Sequence, residues 1–90
     1  MRYQVVYDKK AIKSLSKIDK GQQNIILAWV EKNLVNTDNP KKYGKVLKGN
    51  LNEYWRYRVG NYRILADINE NEVKIIIFNL GHRKDIYTKN

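Results

Sequence analysis

The chain has 90 residues, 42% of them apolar, which suits a single domain (1–90) with one modest core and excludes a disordered segment. Eighteen Lys and Arg against nine Asp and Glu leave a net charge of +9, which points to a polyanionic partner. The lack of cysteine excludes disulfides and thiolate metal sites, and no apolar run approaches the roughly 18 residues of a membrane span. No membrane partner is expected, and the simplest address is a reducing cytoplasm.

The elements follow in chain order. Arg2–Tyr7 alternates and is rich in Val and Tyr, which predicts a strand. Asp8 can cap a first helix whose apolar stripe is Ile12, Leu15 and Ile18, with Lys9, Lys10, Lys13, Lys17 and Lys20 on its other sides. After a break at Asp19-Lys20-Gly21, a second helix is predicted from about Gln22 to Val35. Its stripe is Ile25, Ile26, Trp29, Val30 and Leu34. Two helices joined so tightly form an antiparallel hairpin. Asn36–Gly44 is polar, holds the only proline and reads as a loop.

Three strands are then expected, at about Glu53–Val59, Tyr62–Asn69 and Glu72–Leu80. Gly60-Asn61 is a two-residue hairpin signal between the first two, and Glu70-Asn71 joins the last two. The expected class is α+β, with order β-α-α-β-β-β and the helix hairpin on one face of a mainly antiparallel four-stranded sheet. Pairing Val59 with Tyr62 sets Arg58 opposite Arg63 and places Arg56, Arg58 and Arg63 on one face. Trp55, Tyr57, Val59, Tyr62, Ile64, Ala66, Ile68, Val73, Ile75 and Ile77 are expected to meet the helices. The other face then carries Tyr54, the arginines, Leu65, Asp67, Lys74, Ile76, Phe78 and Leu80, with Asp67 opposite Lys74 and Phe78 beside Arg63.

Like charges placed directly opposite each other cost about 0.2–1 kcal/mol, so the arginine cluster suggests a bound anion. Residues 41–63 hold seven basic side chains (Lys41, Lys42, Lys45, Lys48, Arg56, Arg58, Arg63) against the single acid Glu53. Tyr43, Tyr54, Trp55, Tyr57 and Tyr62 interleave with them. Arginine grips phosphate through a planar fork and tyrosine stacks on bases, a combination suited to nucleic acid. A second group is the tail Gly81-His82-Arg83-Lys84-Asp85-Ile86-Tyr87. His82 is the lone histidine, and its ordinary pKa near 6.5 suits proton transfer. One histidine with scattered carboxylates makes a bound metal unexpected, and no glycine-rich phosphate loop or nucleophilic triad is present. Metal-free, cofactor-free chemistry on a phosphodiester fits this inventory, because in RNA the 2′-hydroxyl supplies the nucleophile. A basic face that only binds nucleic acid or a partner fits it too.

Leu47-Lys48-Gly49-Asn50-Leu51, Tyr54 to Ile64 and Gly81 to Tyr87 together resemble the RelE/ParE superfamily of toxins from bacterial toxin–antitoxin pairs. The similarity covers essentially the whole chain. It implies the activity of RelE-type toxins, a ribosome-dependent endoribonuclease cutting messenger RNA in the ribosomal A site without a metal. It implies that Arg63 meets the scissile phosphate, that Arg83 stabilises charge or acts as acid, and that Tyr87 stacks on or orients the nucleotide. Arg56 and Arg58 would stand where other members have lysines, with Lys45 and Lys48 as further RNA contacts. Arginine is a poor base, which leaves His82 as the preferred proton carrier. The resemblance also implies a cognate antitoxin that wraps the toxin, with promoter DNA bound only by their complex. ParE-type members share the fold and poison DNA gyrase instead; they generally lack the His-Arg-Tyr tail, which favours the ribonuclease.

Overall fold

The computed structural model describes residues 1–48 and 53–82. Strand β1 (Gln4–Tyr7) leads into helices α1 (Lys9–Ser16) and α2 (Lys20–Asn33), followed by strands β2 (Gly44–Lys48), β3 (Glu53–Val59), β4 (Tyr62–Asn69) and β5 (Lys74–His82). The α+β class and the helix hairpin agree with the sequence reading. The sheet, however, has five strands rather than four, in the order β1-β5-β4-β3-β2. The added strand is β2, whose start at Gly44 falls at the end of the expected loop. β1 runs parallel to β5, and the other pairs are antiparallel. Among the described residues no helix is long and apolar enough to cross a membrane.

Local chemistry sets the boundaries. The Asp8 carboxylate accepts the Lys9 backbone N–H and starts α1. Asn36, at φ 63°, lies in the left-handed region and ends the turn after α2. Its N–H donates to the Tyr3 carbonyl, and the Tyr3 N–H donates to Thr37, which ties that turn to the start of β1. Gly60 has φ 60° while Asn61 does not adopt positive φ, the pattern of a type II′ hairpin turn. The pairs Val59–Tyr62, Arg58–Arg63, Tyr57–Ile64 and Arg56–Leu65 follow as the sequence predicts.

The β4–β5 half departs from the reading. Asp67 faces Ile76 and Lys74 faces Asn69, because the connection is longer than Glu70-Asn71. Val73 sits in that turn at φ 55°, strained for a β-branched residue, rather than on the strand. Lys74 pairs instead with Glu72 at 3.5 Å. Further along, Ala66 faces Ile77 but Leu65 faces Asn79, so Phe78 is an extra residue in a β-bulge. The bulge inverts the alternation beyond it. Leu80, expected on the open face, is buried against the helices with Ile64 as its partner. Phe78 lies against Tyr54, with ring centroids 4.9 Å apart, instead of beside Arg63. Asn79 Oδ1 accepts the Leu80 N–H and the Ser14 hydroxyl, which fastens the bulge to α1. β5 also continues through His82, past the expected stop at Gly81.

The core joins Ala11 of α1 and Ile26, Val30 and Leu34 at α2 to Tyr57, Val59, Ile64, Ala66, Ile75, Ile77 and Leu80 of the sheet. Ile12 and Ile25, both assigned to the apolar stripes, are exposed. α1 is rotated so that Ala11, Leu15 and Ile18 face inward, and the small Ala11 side chain lets the helix approach the sheet closely.

Tyr57 is fully buried, and its hydroxyl donates to the Pro40 carbonyl. Burial pushes its pKa up, and burial plus the Glu31 carboxylate pushes Tyr7 up as well. A folded-state pKa above the unfolded value stabilises the protein below the unfolded pKa, and that contribution fades as pH rises further. Unfolding free energy measured by denaturant titration should therefore hold to about pH 10 and decline above it. Tyr57→Phe should show a shallower alkaline decline. An identical decline in both proteins would contradict this role for the Tyr57 phenol.

Candidate nucleic-acid interface

The helices cover one face of the sheet, and the basic group lies on the other. Two cross-strand rows build it. In the first, Lys45 on β2 faces Arg56 on β3, which faces Leu65 on β4. In the second, Arg58 on β3 faces Arg63 on β4, which faces Gly81 on β5. Strand alternation brings Arg56, Arg58 and Arg63 to one end of one face, as predicted, and β2 adds Lys45 to them. Lys48 ends β2 opposite Glu53 in the register. Lysine on this edge strand also discourages pairing with another chain.

The four cations differ in setting. Arg58 and Lys45 are exposed and Arg56 is half-buried. Arg63 is 1% exposed and is the one buried charged side chain among the described residues. Arg56, Arg63, Tyr54 and His82 are each engaged in further interactions. A guanidinium in such an enclosed position acts on a nearby anion through a lower effective dielectric than an exposed one. Arg58 and Lys45, open to solvent, suit capture of a phosphate backbone, and Arg63 lies enclosed directly across from Arg58.

His82 is placed differently from the expectation. It pairs in register with Tyr62, and the two rings meet edge to face at 5.6 Å. Tyr62 packs against the core, so His82 stands on the helix side of the sheet end while Arg63 stands on the other. The structure does not bring His82 into the arginine rows. Arg83 and Tyr87 lie outside the described residues. Among the described residues no group of His, Asp and Glu side chains could hold a metal ion.

Two clefts flank the sheet. A cleft of about 520 Å³ is lined by Lys41, Trp55, Asp67 and Glu70 among others. Lys41 already bridges Glu70 at 3.3 Å and lies 5.6 Å from the Trp55 ring centre. Its acids make it unsuited to phosphate. A smaller cleft of about 210 Å³ is lined by Tyr43, Gly44, Lys45, Arg56 and Arg58, beside the basic rows. The sequence reading placed Tyr43 and Gly44 in a loop. The only signal for β2 was the short run Lys45-Val46-Leu47-Lys48, whose adjacent apolar residues break a strict alternation.

Residues 5–87 match the family model described as ParE toxin of type II toxin-antitoxin system, parDE. No curated relative matches the chain. Among solved structures, the toxin–antitoxin complex RelBE2 from Mycobacterium tuberculosis is similar with 24% identity and a TM-score of 0.81, over 92% of this chain and 100% of that one. The archaeal RelE–RelB complex from Pyrococcus horikoshii shows 26% identity and a TM-score of 0.72, over 92% and 97% of the two chains. A double mutant of the E. coli toxin RelE in the free state shows 18% identity and a TM-score of 0.71, over 99% and 94%. What these structures share with this chain is the two-helix, mixed-sheet fold.

Proposed function

The chain belongs to the ParE toxin family of type II toxin–antitoxin systems, and from that premise we propose that it is a metal-independent, ribosome-dependent messenger-RNA endoribonuclease acting in the cytoplasm. The observation that carries this reading is the paired arginine row, with Arg63 enclosed on the open face directly opposite the exposed Arg58. RelE toxins among the similar structures support the same direction. In the proposed reaction the substrate's 2′-hydroxyl attacks the adjacent phosphorus and the bond to the 5′-oxygen breaks. The products are a 2′,3′-cyclic phosphate and a 5′-hydroxyl. Arg63 neutralises the charge that builds on the phosphoryl oxygens, and Arg56, Arg58 and Lys45 hold the flanking phosphates. Arg83 adds a second charge stabiliser and Tyr87 orients the nucleotide, as the family resemblance implies. One proton leaves the 2′-hydroxyl and one is returned to the departing 5′-oxygen; His82 is the proposed carrier, and its ring lies on the helix side of the sheet end, beside Tyr62.

A cognate antitoxin is the proposed partner, covering the toxin with an amphipathic segment. The complexes with RelB seen for similar toxins motivate it. Promoter DNA would be bound only by the assembled pair.

One observation favours a second reading: the matching family model carries the ParE name, and ParE-type toxins inhibit DNA gyrase. The purified chain, added to a translating extract and separately to a gyrase supercoiling assay, distinguishes the two. The proposal expects cut message on ribosomes, intact naked message and unaffected supercoiling. Blocked supercoiling with intact message would replace it with the gyrase reading.

A further inference from the structure

We propose that the cleft between Tyr43, Gly44, Lys45, Arg56 and Arg58 is a nucleotide subsite in which the Tyr43 ring stacks on one base while Arg58 and Lys45 hold its phosphate. The proposal rests on the reading of RNA cleavage given above and assigns a substrate-positioning role to a residue outside the basic rows. The cleft's volume of about 210 Å³ is below the roughly 300–1,000 Å³ of drug-sized sites, which suits a single base or sugar–phosphate unit. Its lining holds three cations and no acid, in contrast to the cleft beside Trp55.

Tyr43 is built as a platform. It lines the cleft and is 46% exposed. Yet it is held: the Trp29 ring meets it edge to face at 6.2 Å, and Trp29 is itself braced on Tyr57 at 5.7 Å. The Lys42 ammonium, 5.3 Å from the ring centre, covers one face. Gly44 seats the start of β2 closely behind Tyr43, since a Cβ there would lie 2.8 Å from both the Arg56 carbonyl oxygen and the buried Tyr57 ring. Arg58 lines this cleft and also faces Arg63 across the strands, so it links the stacked nucleotide to the arginine proposed to meet the scissile phosphate. Stacking on a ring face is sequence-tolerant, so the subsite fixes position rather than codon identity.

Steady-state cleavage on programmed ribosomes tests this with Tyr43→Leu, which keeps an apolar side chain against Trp29, and Tyr43→Phe, which keeps the ring. The subsite predicts a KM raised roughly 5- to 150-fold by Tyr43→Leu with kcat unchanged, and wild-type values for Tyr43→Phe. An unchanged KM, or a loss confined to kcat, overturns it. Where the wild-type chain cleaves nothing, titration of a labelled single-stranded oligonucleotide decides. Binding weakened by Tyr43→Leu then upholds the subsite while the cleavage reading falls. Absent binding, or binding indifferent to Tyr43, overturns the subsite.

Discussion

Arg63→Ala lowers the rate of ribosome-dependent message cleavage by about 10²–10³-fold, the loss expected when one preorganised donor to a developing oxyanion is removed. The size follows from placement. Arg63 is enclosed, whereas Arg58 opposite is open to solvent, so the same charge acts on a bound phosphate more strongly from position 63. The chain keeps this arrangement at a cost, since opposed like charges disfavour the hairpin by about 0.2–1 kcal/mol. Arg63→Ala relieves that repulsion, and the folded protein should survive with antitoxin binding intact. Arg63→Lys retains charge but loses the planar fork, so it should recover only part of the rate. Alanine variants that bind antitoxin and cleave at the wild-type rate would remove Arg63 from the chemistry.

Tyr57→Ala is expected to destabilise the fold by about 3–5 kcal/mol, the range for aromatic truncations in a core. The ring is fully buried, packs on Trp29, closes over Gly44 and ties the Pro40 loop through its hydroxyl. A domain of this length has about 5–13 kcal/mol in total, from roughly 0.05–0.15 kcal/mol per residue. The variant should therefore lose roughly a quarter or more of its stability, read as a lower denaturant midpoint with an unchanged slope. A loss below about 1 kcal/mol, the scale of an ordinary surface change, would show that the Pro40 loop and β2 are not anchored through Tyr57.

The central hairpin was legible because Gly60-Asn61 fixes the turn and a fixed turn fixes the register, so Arg58 and Arg63 could be paired from sequence. Where register depended on a longer connection, inference failed. Asn69 to Lys74 spans a turn with a valine at positive φ, a choice no turn preference signals, and the Asp67–Lys74 pair dissolved with it. The bulge at Phe78 was equally silent: a run of Ile, Ile, Ile and Phe reads as a strand with or without an extra residue, yet the bulge decides which face Leu80 and His82 occupy. β2 escaped notice because an edge strand needs little apolar content. On the helices, the stripe through Ile12 and the stripe through Ala11 differ by one residue, and only packing against the sheet selects the smaller side chain.

The most direct measurement is the map of message 5′ ends after brief induction of the chain in cells without antitoxin, beside an Arg63→Ala control. New 5′-hydroxyl ends within translated frames, absent from the control, are the predicted outcome. Unbroken messages in growth-arrested cells, with DNA supercoiling altered in both strains, would contradict it.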